Sequence, residues 1–362
     1  MRNKLGTISK PQGSDKLPFS SKAIPAMRIS DWIAKSLSEF GVKRVHGLMG
    51  GGAAVLNDGF ISCREIDYIC YHHEQSAGHG AIGESKYSGR LAVVNPTTGC
   101  GGTNCITSVV NAWQDSVPIL FLSGNVNQNT CTNYIKRSKG IKLRTYGIQE
   151  HDIISTVKDI TKFSAFVDKA EDIPKLMQLA ISASLSGRKG PVWLDIPSNI
   201  QSSMLQSVYK IKKPALEKKK TSDFEALEQA INSSHRPLIL AGGGIRQSGN
   251  VNAFNYFINK YNIPFVSSYA SRDLSAHSNP LNIGTVGIKG SRAGNFALQN
   301  CDLLLILGCR MASPVIGYDP SLFSPESFKI MVDIDPQELE KDDIMINMPI
   351  CSDLSHFFQE VL

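Results

Sequence analysis

The stretch Tyr71-His72-His73-Glu74-Gln75-Ser76-Ala77-Gly78-His79-Gly80-Ala81 decides how the chain is read. An apolar, β-branched and aromatic run, Ile66 to Tyr71, leads into it, and a helix of small residues leads out through Ala81, Ile82 and Gly83. This is a strand, a turn and a helix start with a carboxylate at the turn. Open α/β sheets place their ligands at the carboxyl ends of strands. A negative charge is also favoured at a helix N-terminus. A lone Glu here is more often a cap between solvated histidines, so the rest of the chain must decide.

At 362 residues the chain is expected to form about two domains. Apolar content of 42% and charged content of 19% are ordinary for a globular protein. The sequence has no run of eighteen apolar residues, so no transmembrane helix is expected. Residues 1–23 read as a disordered polar tail. Met1 to Ser21 has no apolar core of a secretory signal, which points to the cytoplasm, with a short organelle transit peptide left open. The eight cysteines form no CxxC pair and have no His partner at zinc spacing, so no metal site is expected and reduced thiols fit best. Cys63 and Cys70 read as strand packing, whereas Cys100 falls in a Gly-rich loop. The net charge of +6 is largely local, with Lys210, Lys212, Lys213, Lys218, Lys219 and Lys220 in one linker-like run. Such a run is usually solvated. No nucleic-acid or membrane partner is implied.

Apolar residues at helical spacing (Ile29, Trp32, Ile33, Leu37, Phe40) predict a helix over 29–40, capped by Ser30 or Asp31 and stopped by Gly41. Val42 to His46 reads as a short buried strand, with a glycine loop from Gly47 to Gly52. Leu91–Val94, Ile119–Ser123 and Val192–Ile196 are further buried strands, the last ended by Pro197. Thr103–Trp113, Ile153–Val157 and Asp172–Leu185 read as helices, and Asn125 to Gln149 as a long polar region. Residues 201–222 are polar and Lys-rich and form a linker. Beyond it, strands at Pro237–Ala241, Phe265–Ser267, Leu303–Leu307 and Ser327–Asp333 alternate with helices at Asp223–Ile231 and Asn252–Tyr261. Alternating strands and helices indicate α/β architecture, here two doubly wound parallel-sheet domains in tandem, 24–200 and 223–362.

Several motifs, in order, carry a resemblance. They are Val45-His46-Gly47-Leu48-Met49-Gly50-Gly51, then Glu74, Asn95-Pro96-Thr97-Thr98-Gly99-Cys100-Gly101-Gly102-Thr103-Asn104, and Asp115-Ser116-Val117-Pro118 with Leu122-Ser123-Gly124-Asn125. Gln149-Glu150 and Gly187-Arg188-Lys189-Gly190-Pro191-Val192-Trp193-Leu194-Asp195-Ile196-Pro197 complete the set. Together they resemble thiamine-diphosphate (ThDP) dependent enzymes, most closely the acetolactate synthase large subunit. The resemblance implies a pyrimidine-binding domain followed by a Rossmann-like central domain. It implies Glu74 as the catalytic carboxylate and Gln149 as a residue hydrogen-bonding substrate. Gly50, Gly51, Gly52, Thr98, Gly99 and Asn104 would shape the pyrimidine pocket. Thr97 and Thr98 read equally as caps of the following turn.

The same resemblance implies ThDP as cofactor and decarboxylation and carboligation of 2-keto acids such as pyruvate. FAD is left open as a second, structural cofactor at Gly242, Gly243, Arg246, Arg310 and Asp333. Two family prolines are Met49 and Cys100 here. The Gly-Asp-Gly mark of the family's diphosphate- and Mg²⁺-binding domain occurs nowhere in this chain. That domain is therefore expected to be absent, so the partner would be a second copy in a homodimer or another chain that carries it. The alternative is a non-catalytic dimerisation or regulatory subunit that kept the fold. A third reading is a nucleotide-binding protein using Gly242 to Gly244.

Overall fold

The computed structural model describes residues 26–206, 210–214 and 224–362. The expected 1–23 tail, Lys218 to Lys220 and Asp223 lie outside them. Fourteen strands are described, in chain order β1 (Met27–Arg28), β2 (Arg44–Gly47), β3 (Asp67–Cys70), β4 (Ala92–Asn95), β5 (Ile119–Asn125), β6 (Phe163–Phe166) and β7 (Val192–Pro197). Then follow β8 (Met204–Leu205), β9 (Pro237–Ala241), β10 (Phe265–Ser267), β11 (Asn282–Thr285), β12 (Leu303–Leu307), β13 (Phe328–Asp333) and β14 (Met348–Cys351).

They form two six-stranded sheets, ordered β3-β2-β4-β5-β7-β6 and β11-β10-β9-β12-β13-β14. Every pairing within them is parallel. Parallel sheets are covered on both faces, so their central strands are continuous apolar runs. That is why β4, β5, β7, β9 and β12 are legible in the sequence, and all but the first residue of β9 are buried. Strands β6, β11 and β14 lie at sheet edges, are half-buried, and carry no such run. Sequence reading passes over all three.

The first sheet has apolar layers on both faces. Trp32, Ile33 and Leu37 of the helix Ile29–Phe40 belong to the layer on one face. Ala77 and Ala81 of the helix Glu74–Ser88 belong to the other, with Trp193 stacked on Phe121 at 4.8 Å between ring centroids. Gly41 ends the first helix at φ 108°, as its position predicts. Neither Ser30 nor Asp31 caps it. The N-cap is Arg28, because the helix leaves β1 directly, and Asp31 instead pairs with Arg28 at 2.6 Å. Cys63 follows a helix rather than lying in a strand, and Cys70 is exposed, so neither is strand packing. The polar region 125–149 contains the helix Thr132–Lys139.

The stretch 201–222 stays partly on the first unit. Leu205 pairs with Met27, and Ile211 packs into the first core. Between the units, Arg188 donates to Asp335 at 3.1 Å and to Glu338 at 2.6 Å, and its Nε donates to Ser116 Oγ at 2.9 Å. Gln247 Nε2 donates to the Asp115 carbonyl at 2.6 Å.

Asp195, in β7, is 1% exposed. It accepts hydrogen bonds from Ser123 Oγ at 2.6 Å and Asn125 Nδ2 at 2.7 Å. No cation lies among its hydrogen-bond partners, and burial pushes its pKa up to about 7. The folded state therefore holds this proton more tightly than the unfolded chain, whose Asp titrates near ~3.9. The stability this gives is present below pH ~4 and is lost as pH rises towards ~7. Asp195→Asn is expected to flatten that part of the pH–stability curve in urea unfolding between pH ~5 and ~8. An unchanged slope would assign it to other groups, of which Asp333, pushed up to about 6 by burial, is the first candidate.

Candidate functional site

In the first sheet the chain runs from β2 outward to β3, then returns to place β4 on the other side of β2. The order reverses between β2 and β4, and ligands of doubly wound sheets sit at such a switch point, beyond the carboxyl ends of the strands. The two glycine loops follow these two strands. Residues 47–52 leave β2, and residues 96–101 leave β4. Glu74 opens the helix that follows β3.

The loops are packed on each other. A Cβ at Gly52 would stand 1.6 Å from Thr98 Oγ1, and one at Gly50 would stand 2.5 Å from the Thr97 side chain. A Cβ at Gly51 would meet nothing within 4 Å, so that position presents an open face. Thr98 is buried, and its hydroxyl donates to the Gly124 carbonyl at 3.4 Å.

Glu74 is 6% exposed at the first position of its helix. His73, not Glu74, caps that helix, its Nδ1 accepting from the Gln75 N–H at 3.1 Å. Asn104 Nδ2 donates to Glu74 Oε2 at 2.9 Å. The other oxygen, Oε1, faces Gly101, where a Cβ would stand 3.1 Å from it. The Thr97 side chain faces Gly101 through its methyl carbon, and its hydroxyl is buried without a hydrogen-bond partner among the described residues. A largely buried carboxylate with one oxygen open to a further partner, and a buried hydroxyl without one, suit a polar ligand. A heteroaromatic ring with ring nitrogen and amino groups matches them, so the residues present fit an aminopyrimidine.

Gln149 is brought to the same place by its backbone. It takes φ 59°, and its carbonyl seats against Gly99, at φ 56°. A Cβ on Gly99 would stand 1.6 Å from that oxygen. The Gln149 side chain is exposed, and Glu150 is the buried member of the pair, accepting from the Thr132 hydroxyl at 2.9 Å. His72, His73 and His79 are exposed, as read from the sequence. Sequence reading gave Thr97 only a capping role and passed over Gly101. It also missed a buried relay in which His46 lies between Glu84 Oε2 (2.7 Å) and Tyr71 Oη (3.0 Å). Nothing in the spacing of these three residues announces it.

The second candidate set is different. A Cβ at Gly242 would stand 2.1 Å from the Gly308 carbonyl, and one at Gly244 would stand 2.8 Å from Gly308 Cα. These glycines let the turns after β9 and β12 touch, which leaves no open face like that of Gly51. Arg246 is turned to Asp273 at 2.8 Å. Arg310 is exposed and offers its carbonyl to Lys341 at 2.8 Å. Asp333 is half-buried and accepts from the Asp335 N–H at 3.0 Å. The set is spread over separate partners and does not fit a flavin, so no step is assigned to one. Among the described residues no cluster of His, Cys, Asp or Glu is placed to hold a metal ion, and no helix is long and apolar enough to cross a membrane.

A carboxylate at the switch point of the first of two parallel-sheet units places the chain among α/β proteins that bind a ligand at the carboxyl ends of their strands. Family models identify the ligand class. Residues 27–155 match the thiamine pyrophosphate enzyme N-terminal TPP binding domain, and residues 224–361 match the central domain of the same enzymes. The chain belongs to the thiamine-diphosphate-dependent enzyme family.

It is 33% identical over 341 residues to the acetolactate synthase large subunit of Lactococcus lactis, covering 92% of this chain and 56% of that one. It is 31% identical over 344 residues to a probable acetolactate synthase large subunit of Methanocaldococcus jannaschii, covering 93% and 56%. With the Escherichia coli isozyme 2 large subunit the identity is 30% over 320 residues, covering 87% and 55%. The chain thus spans a little over half the length of these relatives.

Gly99→Ala is expected to destabilise the protein by at least about 2 kcal/mol, since it adds a clash with Gln149 to an unfavourable backbone conformation. Urea unfolding measures this. A loss below about 0.5 kcal/mol would mean that the 99–149 contact is not rigid.

Proposed function

We propose that this chain forms the pyrimidine side of an acetolactate-synthase-like site. The site decarboxylates a 2-keto acid such as pyruvate and joins the remaining fragment to a second keto acid. The diphosphate- and Mg²⁺-holding part would come from polypeptide beyond the sequence described, on this chain or another. The observation that carries the reading is the Glu74 carboxylate. It is buried at the switch point, held on one oxygen by Asn104, and its other oxygen lies toward Gly101.

When bound, thiamine diphosphate supplies a nucleophilic carbon that adds to the keto carbonyl. The residues here bind and position it. Glu74 Oε1 holds the proton that the aminopyrimidine ring nitrogen shares, and burial keeps water from competing for it. Asn104 fixes the rotation of the carboxyl group. The Gly51 face lets a flat ring approach the backbone, as glycine permits. Gln149 is proposed to hydrogen-bond substrate. The similarity to acetolactate synthase large subunits supports the choice of reaction class.

The test is CO₂ release from pyruvate by this protein isolated with its own binding partners, with ThDP and Mg²⁺ added. Glu74→Gln keeps the size and polarity but cannot hold the proton, so turnover is expected to fall by about 10²–10⁴. An unchanged rate would remove Glu74 from the mechanism. A homodimer that binds no ThDP would move the weight to the non-catalytic subunit.

A further inference from the structure

The helix Thr132–Lys139 and the chain that follows it border an open-sided cavity of about 270 Å³. Lys136, Lys142 and Arg144 line it, together with Thr132, His151 and Asp152. Among the described residues no hydrogen bond or ion pair is made by the exposed side chains of Lys136, Lys142 or Arg144. Arg137, on the same helix and not lining the cavity, behaves otherwise. Arg137 is held by Asp168 through two bonds, at 2.8 and 3.0 Å, and sits over the Phe166 ring at 5.2 Å. Asp152 is already committed, its Oδ1 accepting from Ser155 N and Asn133 Nδ2, both at 3.3 Å. His151 uses Nε2 with the Thr156 hydroxyl at 2.7 Å. The first turn of the helix also lines the cavity, and no side chain caps it.

Three cations against one carboxylate leave two net positive charges, His151 being counted neutral. Like charges gathered around one cavity repel, and an anion between them offsets that cost. A phosphate monoester carries about −1.5 to −2 at pH 7 and matches that balance. Arg144 offers a planar fork for two of its oxygens, and the uncapped helix turn offers backbone N–H groups. The cavity is larger than a phosphate group, which leaves room for the organic part of a small molecule.

We propose that this cavity binds a small phosphate monoester. It sits on the same segment that carries Gln149 against Gly99, so the ligand would lie beside the candidate site. The proposal does not depend on the thiamine reading, and its test uses neither ThDP nor pyruvate.

The experiment is calorimetric titration of the full chain with glycerol 3-phosphate, with glycerol, inorganic phosphate and sulfate as separate arms. Saturable one-to-one binding of glycerol 3-phosphate is expected, weaker at high salt, with no binding of glycerol and weaker binding of the inorganic ions. The double variant K142A/R144A is expected to lose at least about tenfold in affinity, since two charged contacts are removed. The remote control K35A is expected to lose none. In the unmodified protein, amide NMR shifts on titration are expected to concentrate in residues 132–152, which holds even if the double variant does not fold. Absence of saturable binding, equal affinity in a folded double variant, shifts elsewhere, or sulfate binding as tightly as the ester would each overturn the proposal.

Discussion

A carboxylate taken out of water with no cation among its hydrogen-bond partners is the constraint on which the first unit turns. Burying an unpaired carboxylate costs several kcal/mol unless dipoles replace its hydration. Here Glu74 has the N-terminus of its own helix and one amide, from Asn104, while Oε1 has no hydrogen-bond partner among the described residues and keeps some contact with solvent. The rest of the unit keeps that arrangement rigid. Ala77 and Ala81, three and seven residues beyond Glu74 on the buried face of the helix, seat it on the sheet, and Trp193 and Phe121 complete the layer beneath. The residues that make the site polar are therefore held by residues that make the core dry.

The switch point explains why the site can be built from loops at all. At that place the connections after β2 and β4 leave in opposite directions, which opens a crevice between them. Filling the crevice with two loops requires their backbones to approach within van der Waals distance. Side chains are excluded at Gly50 and Gly52, and the hydroxyls of Thr97 and Thr98 occupy the space a Cβ would take. A third loop, ending at Gln149, closes on Gly99 from the other side.

How much of this was legible follows from the same physics. Strands buried on both faces are continuous apolar runs, so the sheet centres and the strand–turn–helix around Glu74 could be read directly. Edge strands such as Phe163–Phe166 and Asn282–Thr285 have one neighbour and a half-exposed face, so nothing in their composition separates them from loop. The first helix cap was misread because a strand, β1, feeds the helix, and that strand exists only through a distant partner, with Leu205 paired to Met27. The motif order singled out Glu74, Asn104 and Gly99 as expected site residues. It could not show that Thr97 is the unpaired hydroxyl, since hydrogen-bond satisfaction is a property of the assembled loops.

The two glycine clusters show why counting glycines after a strand is a weak guide to ligands. Both follow a parallel strand at a switch point, and in sequence Gly50-Gly51-Gly52 and Gly242-Gly243-Gly244 are indistinguishable. In the first, the outer two glycines clear space for a neighbouring loop and the middle one has open space where a Cβ would stand. In the second, the glycines before and after the middle are pressed against Gly308, and the middle one already faces Ala270 at 3.2 Å. A buried titratable group beside the turn separates the cases further. Glu74 keeps one oxygen unmet, whereas Asp333 is already engaged by the backbone of its own turn. A glycine loop reads as a binding site when a Cβ would find empty space and an unsatisfied polar atom lies beside it.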